Sequence, residues 1–534
     1  MSYRNLILVL VLVLAFSVAN AQNHLERFKS IDVIHYSFEL HLHDESDQIE
    51  GTADITIRFL KPAYSFNLDL VEIENNSTGM QVSSIVYEGE EISFKHTNSI
   101  LEIEFPKQIS SGDTAQLKIN YFGTPADGLI ISKNRYGDRT FFGDNWPDRA
   151  HHWLPCVDHP SDKAKVEFLV YAPAHYEVVG NGYLTERKMV TDNIEFTHWK
   201  EDVPISTKVM VIGAADFAIG NDTTFNGIPV SAWVFKENRD KGLENYRYTT
   251  EALSYFSELI GPYSYEKLAH VQSKTRYGGM ENASCIFYSE NSAISDRSQE
   301  SLFAHEVAHQ WFGNSATEQN WHHVWLSEGF ATYLTHVYNQ HFYGGDAFKN
   351  GLQRDRERVI RFAHRYPAPI IDTTVTEYIR LLNANSYQKA SWFLHMLRHQ
   401  LGEETFFKGL RNYYAEYRNT TALTADFKNV MEEVSGKDLQ SFFDQWLRRA
   451  GHPVLSWSWE QNSDMKVELK LQQIQEGFDF AFPLDVAVIY KDDSREIQTI
   501  NVEQRSSTFV FPVQQKVKTI KFDPGINLLF EEAK

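Results

Sequence analysis

His305, Glu306 and His309 stand in the string His305-Glu306-Val307-Ala308-His309, and Glu328 follows nineteen positions after the second histidine. On an α-helix, residues four apart differ by only about 40° around the axis, so both imidazoles project from one face. Glu306 then points about 100° away from His305. Two neutral imidazoles and one carboxylate are a donor set for a zinc ion that keeps a fourth position for water, and a second carboxylate beside that position can take the water's proton. The third ligand must come from elsewhere, and Glu328, within Trp325-Leu326-Ser327-Glu328-Gly329-Phe330-Ala331, is the donor expected. Such a set performs metal-assisted hydrolysis. The competing reading, two core histidines on an apolar face, leaves Glu306 and Glu328 without a purpose.

These side chains need two helices to hold them. Residues 300–312 run without Gly or Pro and stop at Gly313-Asn314, which predicts a helix carrying both histidines. A second run from Phe330 to Tyr343 ends at Gly344-Gly345 and places Glu328 in the first turn of the next helix.

Upstream lies Gly278-Gly279-Met280-Glu281-Asn282. A carboxylate fixed near a metal can capture the α-ammonium of a peptide, and its position then sets which carbonyl reaches the ion. The paired glycines suit a strand edge that a substrate backbone approaches closely. Taken together, His305 to Asn314, Trp325 to Ala331 and Gly278 to Asn282 resemble the gluzincin aminopeptidases of the M1 family, relatives of aminopeptidase N and leukotriene A4 hydrolase. The resemblance implies one Zn²⁺ per chain on His305, His309 and Glu328, Glu306 as general base, and a substrate-binding segment of Gly278, Gly279, Met280, Glu281 and Asn282. It also implies peptide substrates with a free amino terminus. Asn385-Ser386-Tyr387-Gln388-Lys389-Ala390-Ser391 is similar to the family's Tyr-x-Lys-Gly/Ala segment, whose tyrosine donates a hydrogen bond to the oxyanion. A phenol suits that role because it remains protonated near neutral pH. Tyr387 lies 387 − 306 = 81 positions after Glu306, as in the family, and is preferred to Tyr378. Thr317, Glu318 and His323, between the two ligand helices, are further residues able to orient imidazole N–H groups. An endopeptidase or epoxide hydrolase on the same scaffold, and an exported peptide-binding protein without catalysis, are the alternatives.

Two features depart from the family. The block Arg149 to Ala164 is similar to its Phe-Pro-Cys-x-Asp-x-Pro-x-x-Lys-Ala segment, with Cys156 matching and His159 where an acid is usual. Just before it, Asp144 and Trp146 occupy positions where relatives carry Gln or Glu groups that help hold the substrate amine. Trp146 cannot accept a hydrogen bond from an ammonium, so the amine is expected to rest on Glu281 with Asp144. Many relatives also continue into a large helical domain that roofs the site, whereas this sequence ends at Lys534 after a β-rich region. A more open site, or one covered by a second subunit, is the expectation.

The rest of the chain places these motifs in domains. Met1 to Ala21, with Arg4, the apolar run Leu6 to Phe16 and Ala19-Asn20-Ala21, reads as a signal peptide for export, with no permanent membrane anchor. Alternation in His35 to Leu42, Ala53 to Phe59 and Leu101 to Phe105 predicts strands. The expected architecture is multidomain: an all-β, saddle-like region over 22–208, a thermolysin-like α+β, mainly helical catalytic region over 209–450, and a small β-sandwich over 451–534. Val209 to Asp216 is expected to begin the second of these. A net charge of −20 excludes nucleic acid as a partner, since no basic stripe exists to neutralise phosphates. The two cysteines, Cys156 and Cys285, either pair or remain buried thiols. Oligomeric state is not encoded in any of these patterns.

Overall fold

The computed structural model describes residues 27, 29–73, 78–296 and 298–533. The expected signal peptide, 1–21, lies outside the described residues. Two compact units emerge, Met1–Trp321 with Tyr414–Leu423, and His322–Tyr413 with Thr424–Lys534. No helix among the described residues is long and apolar enough to cross a membrane.

The first unit begins with an eight-stranded sheet. Strand Ile31–His41 pairs antiparallel with Ile49–Phe59 and parallel with Ala164–Pro173. Its inward set changes parity at a register shift between Val33 and His35, from Ile31 and Val33 to Tyr36, Phe38 and Leu40, because an extra residue on one strand moves every later side chain to the other face. A three-stranded sheet joins Ala63–Asp69, Ile100–Ile109 and Phe94–Thr97. A four-stranded sheet runs Glu177–Gly180, Ile212–Ala215, Arg139–Gly143 and Leu129–Lys133. Ile212–Ala215 thus pairs with strands far upstream rather than opening a new region as its sequence position predicts. The reason is polar: Asn145 Nδ2 donates to the carbonyls of Thr207 and Met210, and Asn181 Oδ1 accepts the Val211 N–H, tying this stretch to the upstream sheet.

The site region of this unit rests on a five-stranded sheet in the order Phe217–Phe225, Ile228–Phe235, Leu268–Ser273, Cys285–Ser289, Gly279–Met280. Its central strands pair in parallel, and Leu268–Ser273 between them is buried throughout, as a strand covered on both faces requires. Gly279–Met280 is the edge strand. Helix Glu300–Ala308 follows, its Phe303 packed edge-on against Tyr246 and Tyr288.

In the second unit, helix Trp325–Tyr343 packs with Gly345–Ala363 and Ala390–Leu401 around an aromatic core of Trp325, Phe330, Phe393 and Phe427. After helix Gln440–Arg448 the chain becomes β-rich again. Strands Ser506–Pro512, Lys466–Gln473, Val454–Gln461 and Glu531–Glu532 form one sheet, and Arg495–Val502, Phe482–Tyr490 and Val517–Phe522 another. Val467, Leu469 and Leu471 on the first, with Leu484, Val486 and Val488 on the second, are the alternating buried residues.

Candidate active site

His305 and Glu306 sit in the last turns of helix Glu300–Ala308, and His309 is its C-terminal cap, still helical at φ −58° and ψ −25°. The helix ends four residues before the predicted stop. The chain folds back there, with the Asn314 N–H bonded to the His309 carbonyl at 3.0 Å and Phe312 bridged to Ala316. The histidines keep their relation, with Nε2 atoms 3.2 Å apart. Two nitrogens on a tetrahedral zinc, each about 2.0–2.1 Å from it, lie roughly 3.3–3.4 Å apart, so the pair fits that ion. His309 Nδ1 lies 3.3 Å from the Phe312 carbonyl, a donation that leaves Nε2 its lone pair for a metal.

Glu281, Glu306 and His309 each offer a ligand atom, all within 4.8 Å of one another, and all three residues are buried. The close approach of Glu306 depends on a glycine. A Cβ on Gly279 would lie 2.3 Å from Glu306 Oε1, whereas one on Gly278 would meet only Leu302 at 3.7 Å. Gly279 and Met280 pair with Tyr288 and Phe287 on one side of their strand and form the sheet's edge on the other. The Glu281 carbonyl accepts from Gln310 Nε2 at 2.9 Å and from Asn314 Nδ2 at 2.5 Å, while its carboxylate Oε1 is buried without a partner. Both polar atoms of the Asn282 side-chain amide, Oδ1 and Nδ2, are buried and unbonded as well.

The two pocket positions are placed differently from expectation. Asp144 is fully buried and paired with Arg149 at 2.5 Å, and its other oxygen accepts from the Arg276 N–H at 3.2 Å and Thr275 Oγ1 at 3.4 Å. Burial raises its pKa, opposed by the Arg149 charge. With its charge matched inside the protein, Asp144 does not offer a free carboxylate. Trp146 is also buried, edge-on to Trp321 with ring centroids 5.2 Å apart. The residues expected to orient the imidazoles have other partners: Thr317 Oγ1 donates to the Asn314 carbonyl at 2.7 Å, and Glu318 pairs with Lys208 at 2.5 Å. His323, in the second unit, meets Thr424 Oγ1 at 2.7 Å, and burial pulls its pKa down to about 4. Lys163, from the Cys156 block, donates to the carbonyls of Asn314 and Ser315 at 2.9 and 2.8 Å, a role its motif alone did not disclose. Cys156 and Cys285 are buried free thiols, and burial pushes Cys285 up to about 11.

In the second unit Glu328 lies buried in the first turn of its helix. The neighbouring Gly329 has the Ala390 Cβ and Ser386 carbonyl against it, where an added Cβ would meet them at 2.5 and 3.3 Å. That contact brings the Glu328 helix against the π-helical turn Asn385–Lys389, which holds Tyr387 and precedes helix Ala390–Leu401. Regular α-helix therefore begins three residues after Tyr387, at Ala390.

The sequence model of the peptidase family M1 domain matches residues 245–446, and that of the peptidase M1 N-terminal domain matches 33–209, together more than two thirds of the chain. The chain belongs to peptidase family M1. It is 27% identical to aminopeptidase M1-C of Oryza sativa subsp. japonica over 451 residues, 78% of this chain and 50% of that protein. With glutamyl aminopeptidase of Homo sapiens it shares 25% identity over 504 residues, 87% of this chain and 52% of the relative. The chain thus spans about half the length of the curated relatives it matches. A crystal structure of an M1 zinc metallopeptidase from Deinococcus radiodurans superposes with a TM-score of 0.69 at 23% identity, covering 80% of this chain and 95% of that one, which shows the shared fold.

Proposed function

We propose that the protein is a zinc-dependent aminopeptidase that removes single residues from the amino terminus of peptides. The observation that carries this reading is Glu281: a carboxylate buried beside Glu306 and His309, with one oxygen lacking any partner. A buried anionic acceptor without a donor calls for a cation, and a substrate α-ammonium supplies it. His305, His309 and Glu328 are the residues that would hold the ion. A bound zinc ion would acidify a water and polarise the scissile carbonyl. Glu306 takes the proton of the attacking water and delivers it to the leaving amine. Tyr387 donates its phenolic hydrogen to the developing oxyanion. Glu281 holds the α-ammonium, so only the first peptide carbonyl is in reach. The aminopeptidase names of the relatives support the same reading. The leader-like stretch Leu6 to Ala21 supports export as the setting.

A fluorogenic panel of amino-acid amides, each paired with its N-acetyl counterpart and assayed with and without chelator, tests this. Chelator-sensitive cleavage restricted to free amines is expected. Equal cleavage of the acetylated partners would instead favour an endopeptidase.

A further inference from the structure

Glu281 reaches its place through its main chain. Its carbonyl takes two side-chain amides, Gln310 and Asn314, from the segment that directly follows the His305–His309 string. The next three carbonyls are held too: Asn282's by Gln310 Nε2 at 3.4 Å, Ala283's by Asn181 Nδ2 at 2.6 Å, and Ser284's by Lys267 Nζ at 2.9 Å. Gln310 closes the arrangement by accepting the Ser284 N–H on Oε1 at 2.9 Å, and Ser284 sits at φ +57°, a conformation a serine keeps only when its surroundings hold it. Glu281, Asn282, Ser284, Gln310 and Asn314 are all buried, so water does not compete for these bonds. Gripping the backbone leaves the Glu281 carboxylate unspent for a ligand.

We propose that Gln310 and Asn314 are positioning residues that set the distance between the Glu281 carboxylate and the hydrolytic centre, and so set the preference for a free amino terminus. This rests on the aminopeptidase reading. Because both amides extend from the chain that carries His309, any shift of the metal-binding helix carries Glu281 with it. Neither touches the substrate. A misplacement of about 1 Å costs on the order of 100-fold in rate, so loosening one clamp has a measurable effect.

The test compares wild type, Gln310→Met, which keeps the side-chain length and removes the amide, and Asn314→Ala, which leaves Gln310 as the single clamp. For each soluble variant, zinc content, Tm, and kcat and KM for leucine 4-nitroanilide and its N-acetyl form are measured. The proposal expects the ratio of kcat/KM values, free over acetylated, to fall by about tenfold or more in Gln310→Met, chiefly through KM for the free amine, and by less in Asn314→Ala, with zinc retained. Lower Tm with an unchanged ratio in either zinc-loaded variant overturns it, because a merely structural role would move stability alone. A wild type that does not favour the free amine refutes the aminopeptidase reading itself, a separate outcome.

Discussion

The loop Glu281–Ser284 and the segment Asn383–Lys389 are both asked to hold one reactive side chain still, and they are held by different means. The loop's four carbonyls are satisfied by residues remote in sequence, from Asn181 to Asn314. The Tyr387 segment is held mostly by its neighbours. Asn383 Oδ1 accepts the Asn385 N–H at 2.8 Å, the Tyr387 N–H reaches the Asn383 carbonyl at 3.2 Å, and Ser386 Oγ donates to the Leu381 carbonyl. Its longer-range supports include Asn385 Nδ2 on the Ala368 carbonyl at 3.0 Å, Lys389 Nζ on the Arg449 carbonyl at 3.1 Å and the packing of Gly329 on Ala390. A locally wound turn tolerates a shift of its supports by moving as a piece. A loop held by donors from separate parts of the chain has no such freedom, because no single piece of structure moves with it.

Substitutions on each side sharpen this contrast. Glu306→Gln sets the scale: kcat/KM should fall about a thousandfold with zinc still bound, measured by amide turnover and metal analysis. Appreciable turnover would remove Glu306 from the role of base. Gly279→Ala should come next, lowering kcat on the order of 100-fold through a Cβ driven onto the Glu306 carboxylate, with Gly278→Ala near wild type because its Cβ meets only ordinary contact. Equal effects from the two glycines would break the assignment of rigidity to the loop side. Gly329→Ala should act through packing, costing about 1–3 kcal/mol in denaturant unfolding as its Cβ meets Ala390. Ala390→Gly in the same chain should recover most of that loss, and a failure to recover would mean that the Tyr387 side depends on more than this contact.

A pH-dependent effect on stability, with none expected on the catalytic step, concerns Asp162, buried in the first unit with its Oδ1 accepting the Val33 N–H at 3.1 Å and its pKa pushed up to about 7 by burial. A carboxyl whose folded pKa lies above its unfolded value binds more protons when folded, so stability falls as pH rises from about 4 to about 7. Asp162→Asn keeps the acceptor and removes the titration. It should leave Tm unchanged near pH 4 and raise it at pH 8, by at most about 4 kcal/mol of stability. The same gain at both pH values would point to packing instead.

Much of the candidate site was legible from spacing. The proposed ligand pair His305 and His309 needs only a helical turn to face one point, and Glu328 needs only a helix start to sit in a first turn. Strands such as Ile31–His41 announced themselves by alternation, although the bulge after Val33 did not, since a one-residue shift in pairing leaves no local mark. Asp144 could not be judged from its neighbours. Whether a carboxylate is free or neutralised depends on an arginine five residues on being folded against it and on an N–H from residue 276. The early end of the Glu300–Ala308 helix was hidden for a similar reason, since the bond from Asn314 back to His309 is stronger evidence than the absence of Gly and Pro.

What the sequence alone offered is a candidate chemistry: helical spacing sets His305 and His309 on one face with Glu306 beside them, a relation fixed by the backbone's own geometry, while the amine-anchor and oxyanion roles of Glu281 and Tyr387 are what the resemblance to family M1 implies. The tertiary structure decided which of these groups remain available. Asp144 is spent on Arg149 while Glu281 keeps an unpartnered oxygen, and Gly279 is required because a carboxylate from another element fills the space beside it. Such outcomes depend on what burial brings together from distant parts of the chain, and no local pattern encodes that.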